Sequence, residues 1–277
     1  RIMIADTYKG LPVKAIGTKA FNDKDIVSVV IPEGVTIIES FAFSSCQSLV
    51  SVALPNTLTT IGTNAFSWCM ELTTCHLPNG LTTIEAGAFS ACSNFKNVDI
   101  PASVSHIGFG AFTSSKEKEN GGTYVDNWAV DFEDAATAIL RDNTVGIASM
   151  AFYHASELKA ITIPSTVKYI CNDALNGANN LRTVVFEDDS QLKSIQSNAF
   201  LYCTSLTEIT IPSSVKNIGD GAFGGCSSLK SVVIANGVLG IESGAFYGCT
   251  SLTEITIPGS VKNIGYGAFN QCSSLRS

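Results

Sequence analysis

Apolar and polar residues follow one another along this chain in a pattern that returns about every 23 residues. In the copy at residues 206–226, the order Leu-x-x-Ile-x-Ile-Pro alternates like a strand with one buried face, and proline ends it because it has no backbone donor. A second extended stretch, Val-x-x-Ile, follows the proline. The next segment, Ala-Phe-x-x-Cys-x-x-Leu, predicts a turn or a short helix that returns the chain to the next strand.

An Ala-Phe pair marks nearly every copy. Phenylalanine occupies this position at Phe21, Phe43, Phe66, Phe89, Phe112, Phe152, Phe200, Phe223, Phe246 and Phe269, and Ala174-Leu175 is a variant that makes eleven copies. A repeat of this length forms one supersecondary unit, which buries its apolar side only by stacking on its neighbours. The pattern therefore predicts a β-rich solenoid of about eleven 23-residue coils with short parallel strands and a buried phenylalanine in each coil.

Two intervals interrupt the repeat. The step from Leu175 to Phe200 is two residues longer than the others, which predicts a surface bulge at Glu187, Asp188 and Asp189. The step from Phe112 to Phe152 is seventeen residues longer, which predicts an insertion at 113–137. The insertion begins as a polar loop, and its later apolar residues predict a strand or hairpin on the flank of the solenoid. These residues are Tyr124, Val125, Trp128, Val130 and Phe132.

We expect the whole chain, 1–277, to form a single solenoid domain. It would comprise an N-terminal coil (1–25), a first repeat block (26–112), the insertion (113–137) and a second repeat block (138–277). The sequence begins without Met and stops where another strand should begin, so we expect it to be a piece of a longer protein, truncated at its C-terminus.

The charge balance excludes two classes of partner. Charged residues make up 15% of the chain and the net charge is -7. Binding to nucleic acid or to an anionic membrane needs clustered Lys and Arg, which this composition does not provide. The sequence contains no apolar run of about eighteen residues, so we expect no membrane insertion.

The cysteines also follow the repeat. Seven of the nine share one position: Cys46, Cys69, Cys92, Cys203, Cys226, Cys249 and Cys272. Equivalent side chains of adjacent coils lie about 4.8 Å apart, whereas bridged Cβ atoms lie about 3.8 Å apart, so buried thiols are expected rather than disulfides. Ala155, Ala178 and Ser115 at the same position indicate a small, buried site. Cys75 falls on an inward strand position, and Cys171 replaces a glycine, where we expect it to lie near the surface.

The segment LTEITIPSSVKNIGDGAFGGCSSL, residues 206–229, resembles the BspA-type leucine-rich repeat of bacteria and protozoa. GLPVKAIGTKAF, from Gly10, is similar to the opening coil of that family. The resemblance implies a right-handed leucine-rich-repeat superhelix. It also implies a secreted or cell-surface bacterial protein that adheres to host or microbial surface proteins and carries no catalytic residues.

A column of lysines is the first candidate binding surface. Lys168, Lys193, Lys216 and Lys262 share one position, where earlier coils carry Thr36, Thr59, Thr82 and Ser105. Stacking would align the ammonium groups so that an acidic segment of a partner protein could lie along them. The alternative is that exposed lysines only keep the sheet soluble. Glu208 and Glu254, on the neighbouring strand face, would offset part of the charge.

The insertion supplies two further candidates, Tyr124 and Trp128, either as ligand contacts or as anchors of the hairpin. Its Asp126, Asp131, Glu133 and Asp134 could hold calcium, but the EF-hand spacing is absent and a solvated acidic loop fits better. The outward strand positions lack the aromatic stripe of a sugar platform. No cofactor or metal is expected.

Three functions remain open from the sequence. The first is a non-enzymatic adhesion module for a protein ligand, and the second is a passive spacer that presents another domain. The third is a thiol or hydrolytic enzyme around Cys171, which would need His154 or His106 as a base. The three histidines occupy different repeat positions, which disfavours the enzyme. The sequence leaves the ligand and the oligomeric state open.

Overall fold

A computed structural model describes residues 1–114, 117–119, 122–132 and 136–276. The chain divides into two compact units, unit 1 (Arg1–Glu117) and unit 2 (Lys118–Ser277). The secondary structure of the described residues consists of short strands and turns, with no helix, so the returns between coils are turns. The arrangement of all coils in a single domain stays a prediction.

Residues 1–114 of unit 1 form eleven strands. They are β1 (Ile2–Met3), β2 (Thr7–Tyr8), β3 (Leu11–Pro12), β4 (Ala15–Ile16), β5 (Ser28–Val30), β6 (Ile37–Ile38), β7 (Ser51–Ala53), β8 (Thr60–Ile61), β9 (Thr74–Cys75), β10 (Thr83–Ile84) and β11 (His106–Ile107). The first strands of the coils form one parallel sheet, β1-β5-β7-β9, and the second strands form another, β4-β6-β8-β10-β11. β2 and β3 form a separate antiparallel hairpin.

β12 (Glu117–Glu119) spans the point in the sequence where unit 1 ends and unit 2 begins. The strands of unit 2 that follow are β13 (Gly122–Val125), β14 (Trp128–Asp131), β15 (Thr137–Ile139), β16 (Gly146–Ile147), β17 (Ala160–Ile163), β18 (Tyr169–Ile170), β19 (Thr183–Phe186), β20 (Ser194–Ile195), β21 (Glu208–Ile211), β22 (Asn217–Ile218), β23 (Ser231–Ile234), β24 (Gly240–Ile241), β25 (Glu254–Thr256) and β26 (Asn263–Ile264). The first strands form the sheets β15-β17-β19 and β21-β23-β25. The second strands form one sheet, β14-β16-β18-β20-β22-β24-β26.

The repeat sets the register of these sheets. In unit 2, Ile209 pairs with Val232 and Val232 with Ile255, so the inward residues of successive first strands face one another. In the second-strand sheet, Ile218 pairs with Ile241. Since side chains alternate between the two faces of a strand, this register sends paired residues such as Val232 and Ile241 to the inside, while Val233 on the outer face stays exposed. Each unit is therefore a β-solenoid whose core runs along its coils.

The Ala-Phe pairs of the inner coils lie inside, as the sequence predicts, whereas Ala20 is exposed and Phe21 and Phe269 are half-buried at the ends of the repeats. Phe200, Phe223 and Phe246 are fully buried, and their rings stack nearly parallel with centroid distances of 5.1 and 5.4 Å. In unit 1, Phe43 and Phe66 stack in the same way at 5.3 Å. Parallel rings at this separation are offset, which is a favourable arrangement for aromatic pairs. The stacked phenylalanines form an apolar column in each unit. In unit 2, Leu175 replaces one phenylalanine of the column.

The insertion forms the predicted hairpin, but not on the flank. β13 and β14 pair antiparallel, and β14 also pairs in parallel with β16, through Trp128 opposite Gly146. The backbone N–H of Phe132 donates to Ala151 O at 2.7 Å, and the Phe132 ring stacks on Phe152 at 4.4 Å. The second half of the hairpin thus takes the place of a coil at the edge of the unit 2 sheet, because it provides both a second strand and a core phenylalanine.

The two-residue extension before Phe200 also follows the prediction. The backbone leaves the first strand at Phe186 and forms a turn through Asp189, which has a positive φ of 57°. The carboxylate of Glu187 accepts a hydrogen bond from the backbone N–H of Ser165 at 3.0 Å. This acidic bulge is therefore tied to the preceding coil.

Removal of one ring from the phenylalanine column tests the placement of the core. Phe223→Ala should lower the free energy of unfolding by about 3 to 5 kcal/mol, because it leaves a cavity between the coils of Phe200 and Phe246. Chemical denaturation monitored by circular dichroism measures the loss. Phe223→Leu is the matched control, since Leu175 occupies this position naturally, and it should lose less. Equal stability of the alanine variant and the wild type would contradict a buried column.

Candidate functional site

The lysine column consists of Lys168, Lys193, Lys216 and Lys262, next to the second strands of unit 2. Backbone hydrogen bonds align the first three on consecutive coils: Lys193 N–H donates to Lys168 O at 2.8 Å, and Lys216 N–H donates to Lys193 O at 3.1 Å. Lys168 is partly exposed and the other three are exposed. Three ammonium groups therefore extend from neighbouring coils of one sheet.

Leu239 interrupts the lysine column. Its N–H donates to Lys216 O and its carbonyl accepts from Lys262 N–H, both at 2.7 Å, so it occupies the column position between these two lysines. Its side chain is 38% exposed. The surface is thus a run of three lysines, an apolar residue and a fourth lysine. The sequence contains this interruption, because Val-Leu-Gly-Ile replaces Val-Lys-Asn-Ile in this coil. The prediction of a column of four lysines did not take Leu239 into account.

Unit 1 shows what this position requires for folding. There, Thr59 Oγ1 donates to Thr36 O at 3.0 Å, and Thr82 Oγ1 donates to Thr59 O at 3.1 Å. A threonine at this position therefore stabilises the contact between coils by bonding to a backbone carbonyl. The coil forms without a lysine, so the cations of unit 2 are not a requirement of the fold.

Glu208 and Glu254 lie on the first-strand sheet. Both are exposed, and Ser231 stands between them, because it pairs with Glu208 on one side and with Glu254 on the other. Among the described residues, no salt bridge joins either glutamate to the lysine column. The second-strand sheet of unit 2 therefore keeps a positive column, while its first-strand sheet carries the two carboxylates.

A shallow groove of about 640 Å³ lies on the first-strand face of unit 2. Val185 and Val233 contribute exposed apolar surface to it, and Glu187, Asp189 and Glu208 contribute carboxylates. The acidic bulge forms part of its wall. A second groove, of about 500 Å³, lies on the corresponding face of unit 1 and is lined by small and aliphatic residues together with Arg1 and His76.

Tyr124 and Trp128 are anchors of the hairpin rather than surface contacts. Trp128 is 2% exposed. Its indole covers Gly146, so any side chain at position 146 would overlap the indole. The indole also lies parallel to the Tyr169 ring, with 6.3 Å between the centroids. The Tyr124 ring is fully buried, its hydroxyl accepts from Arg141 N–H at 3.2 Å, and the Arg141 guanidinium lies 4.1 Å from its centroid. Both aromatic side chains are thereby withdrawn from the candidate binding surface.

The cysteine ladder is buried, as predicted, and no cysteine forms a disulfide. Cys226 Sγ donates to Phe200 O and Cys249 Sγ donates to Phe223 O, both at 3.2 Å. Burial raises the pKa of Cys203 and of Cys249 to about 12 and that of Cys226 well above its usual value. The thiols stay protonated and serve as small packing groups with weak hydrogen bonds.

Cys171 does not lie near the surface, so that expectation is wrong. Its residue is fully buried, and its N–H donates to Ile147 O of the preceding coil at 2.9 Å. The neighbouring coil covers this position, which the local sequence does not reveal. A nucleophile needs access to substrate, and a fully buried thiol has none. The enzyme hypothesis around Cys171 therefore loses its structural basis.

The described part of the chain holds no group of three or more His, Cys, Asp and Glu side chains arranged to bind a metal ion. Of the four acidic residues considered for calcium, Glu133 and Asp134 lie outside the described residues, as does Ser115 of the cysteine position. The same part of the chain contains no helix with the length and apolar character to cross a bilayer.

Stacked coils with a first strand, a second strand and a buried Leu, Ile and Phe framework define a leucine-rich-repeat solenoid. The chain belongs to the BspA type leucine rich repeat family, whose model matches six copies over residues 14–120 and 145–276. Such repeats typically mediate protein interaction. No curated protein matches the chain.

Several solved structures are similar in fold. A leucine-rich repeat protein from Bacteroides ovatus is 24% identical over 99% of this chain and 85% of its own, with a TM-score of 0.48. A leucine rich cell surface protein from Faecalibacterium prausnitzii is 26% identical over 99% and 86%, with a TM-score of 0.42. The pneumococcal vaccine antigen PcpA is 19% identical over 99% and 86%, with a TM-score of 0.45. The family assignment depends on the repeat model and not on these likenesses.

The buried thiols predict a pH dependence of stability. A folded-state pKa raised above the unfolded value stabilises the fold fully below pH 9, and this contribution is lost as the pH rises toward the folded value of about 12 for Cys203. Cys203→Ala removes the effect, and Ala178 shows that alanine fits the position. From pH 9 upward, the wild type should lose about 1.4 kcal/mol per pH unit relative to this variant. Urea denaturation between pH 8 and 10.5 measures both, and parallel stability curves would contradict a protonated buried thiol.

Proposed function

We propose that this chain is a non-enzymatic, secreted or cell-surface protein that adheres to a protein on a host or microbial surface. The family supports a protein-binding role, because its repeats typically mediate protein interaction. The resemblance to BspA-type proteins supports an extracellular location. The ligand segment that we propose is extended and acidic, and it lies along the lysine column.

The alignment of Lys168, Lys193 and Lys216 on consecutive coils carries this proposal. Adjacent strands lie about 4.8 Å apart, so three like charges are held close together on one sheet, and such an arrangement is unfavourable unless a counter-charge matches it. The chain as a whole has a net charge of -7, so the column is a local reversal of charge. An acidic partner would relieve the repulsion, and Leu239 would add an apolar contact.

A passive spacer is the second candidate. Its support is the first-strand face, where small and β-branched residues such as Thr210 and Thr256 recur at outward positions. A spacer needs only stiffness and solubility, and the lysines would then act by preventing association between edges. The two candidates differ in whether the lysines contact a ligand.

Threonine substitution of the lysine column separates the candidates. The variant with Lys168, Lys193, Lys216 and Lys262 all changed to Thr should fold, since Thr36, Thr59 and Thr82 occupy the position in unit 1. Binding is measured by surface plasmon resonance against extracellular-matrix proteins and by adhesion to epithelial and bacterial cells. The wild type should bind saturably, more weakly at high salt, and the threonine variant should bind at least about tenfold more weakly.

The matched control changes Glu208 and Glu254 to Thr. It removes charges from exposed positions on the other sheet and should leave binding unchanged or slightly stronger. Equal binding by the wild type and the lysine variant would exclude the lysine column as the contact surface. A wild type that binds none of these surfaces would favour the spacer.

A further inference from the structure

A row of exposed aromatic side chains follows the buried phenylalanines of unit 2. We call it the aromatic edge, and it consists of Tyr153, His154, Tyr202 and Tyr247. The three tyrosines are 46%, 56% and 41% exposed, and His154 is exposed as well. These residues lie one or two positions after a core phenylalanine, in every second coil. The coils between them carry Asn176-Gly177 and Gly224-Gly225.

The backbone at this edge favours glycine. The second residue after the core position has a positive φ in successive coils: 54° at His154, 76° at Gly177, 56° at Tyr202, 66° at Gly225 and 70° at Gly248. Glycine adopts this left-handed conformation freely, whereas a bulky side chain adopts it only with strain. Other coils place Ser45, Ala91 or Gln271 at this position with the same positive φ, so the turn accepts small or polar residues as well as glycine. Coil formation therefore does not require the rings of His154 and Tyr202.

Each of these two rings lies on a glycine of the next coil. The Cβ that a side chain would place at Gly177 falls 2.7 Å from His154 Nδ1, and that at Gly225 falls 2.7 Å from Tyr202 Cε1. The rings therefore pack on bare backbone. Because the Tyr202 side chain is still more than half exposed, the ring leaves surface for a ligand to contact, supported from below by Gly225.

Backbone hydrogen bonds hold the edge in register. Tyr202 N–H donates to Gly224 O at 2.8 Å, and Gly225 N–H donates to Tyr247 O at 2.6 Å. With about 4.8 Å between adjacent coils, His154 and Tyr202 lie about 10 Å apart along the array, and Tyr247 lies about 10 Å further on. The aromatic residues thus recur in every second coil along a hydrogen-bonded ladder.

A band of neutral polar side chains runs beside the aromatic edge. It comprises Asn179, Thr204, Ser227 and Thr250. The N–H of each donates at 2.8 Å to the carbonyl of the left-handed residue two positions earlier, which is Tyr202 in one coil and a glycine in the other three. None of these side chains carries a charge. Thr204 Oγ1 and Thr250 Oγ1 donate to Asn179 O and Ser227 O at 3.3 Å, so these hydroxyls keep their acceptor lone pairs for a ligand next to the aromatic surfaces.

We propose that the aromatic edge of unit 2 binds a neutral glycan chain. A pyranose ring has an apolar C–H face that packs on an aromatic ring and a rim of hydroxyls that pair with amides and hydroxyls, which is the combination found here. An anionic glycan would find no cation among these residues. This site is separate in its residues from the lysine column and does not depend on the proposed protein ligand.

The test uses a variant that the chain itself shows to be compatible with folding. Tyr202→Gly combined with His154→Gly restores the residue that Gly177, Gly225 and Gly248 provide at the same position. The full chain is run by affinity electrophoresis through gels that contain a neutral β-glucan, mannan, galactan or xylan, and through gels that contain an anionic polysaccharide. The wild type should be retarded by at least one neutral polysaccharide, and the double variant should bind it at least about tenfold more weakly.

Two controls make the result specific. Tyr266→Ala removes a tyrosine that is 92% exposed but lies outside the edge, and it should leave retardation unchanged. The four-lysine variant should also bind the glycan normally, so that failure of the protein-binding proposal and failure of this one remain distinct. The proposal is overturned if no neutral polysaccharide retards the wild type, if only the anionic one does, or if the glycine variant binds as the wild type does. Binding of a protein in place of a glycan through these rings would overturn it equally.

Discussion

Everything in this molecule depends on the register between consecutive coils. A single coil has too little apolar surface to fold alone, so it is stabilised by the backbone ladder and by the ring stack that it shares with its neighbours. The 5.1 and 5.4 Å steps from Phe200 to Phe223 and from Phe223 to Phe246 show how regular that contact is. Once the register is set, the side chains at each outward position of the repeat also form a column. These columns differ from one another in the charge and polarity of their side chains.

The repeat made the coils, the buried Ala-Phe pair and the thiol ladder predictable, because each is a periodic property of the sequence. The hairpin shows the limit of that reasoning. Its apolar residues indicated strands, but the pairing of Trp128 with Gly146 depends on a gap that only the three-dimensional arrangement reveals. Cys171 was misplaced for a related reason, since the backbone that covers it belongs to another coil and its own neighbours in sequence give no sign of this.

The candidate surfaces were predictable to different degrees. The lysine column was found because its members share one repeat position, although Leu239 was overlooked. The aromatic edge was missed because its residues are shifted by one position between coils and recur only in alternate coils, which weakens a periodic signal. The glycines that alternate with them carry the better signal. At Gly177 and Gly225 they show both the backbone conformation that the turn requires and the space that the rings fill.

In a solenoid, residues that serve function differ from residues that serve the scaffold at equivalent positions of the coils. The equivalent positions of other coils show which residues satisfy the fold at each site. They are threonine beside the second strand, where it bonds to a carbonyl, and glycine or a small or polar residue such as Ser45 or Ala91 at the left-handed turn. A residue that departs from that choice without serving the fold calls for another explanation. Lys193 and Tyr202 are such departures. Lysine recurs in register at Lys168 and Lys216, and aromatic residues recur beside the Tyr202 position in alternate coils of unit 2. Because the scaffold tolerates the replacement at both sites, the charge and the ring can be removed separately while the coils that carry them are retained.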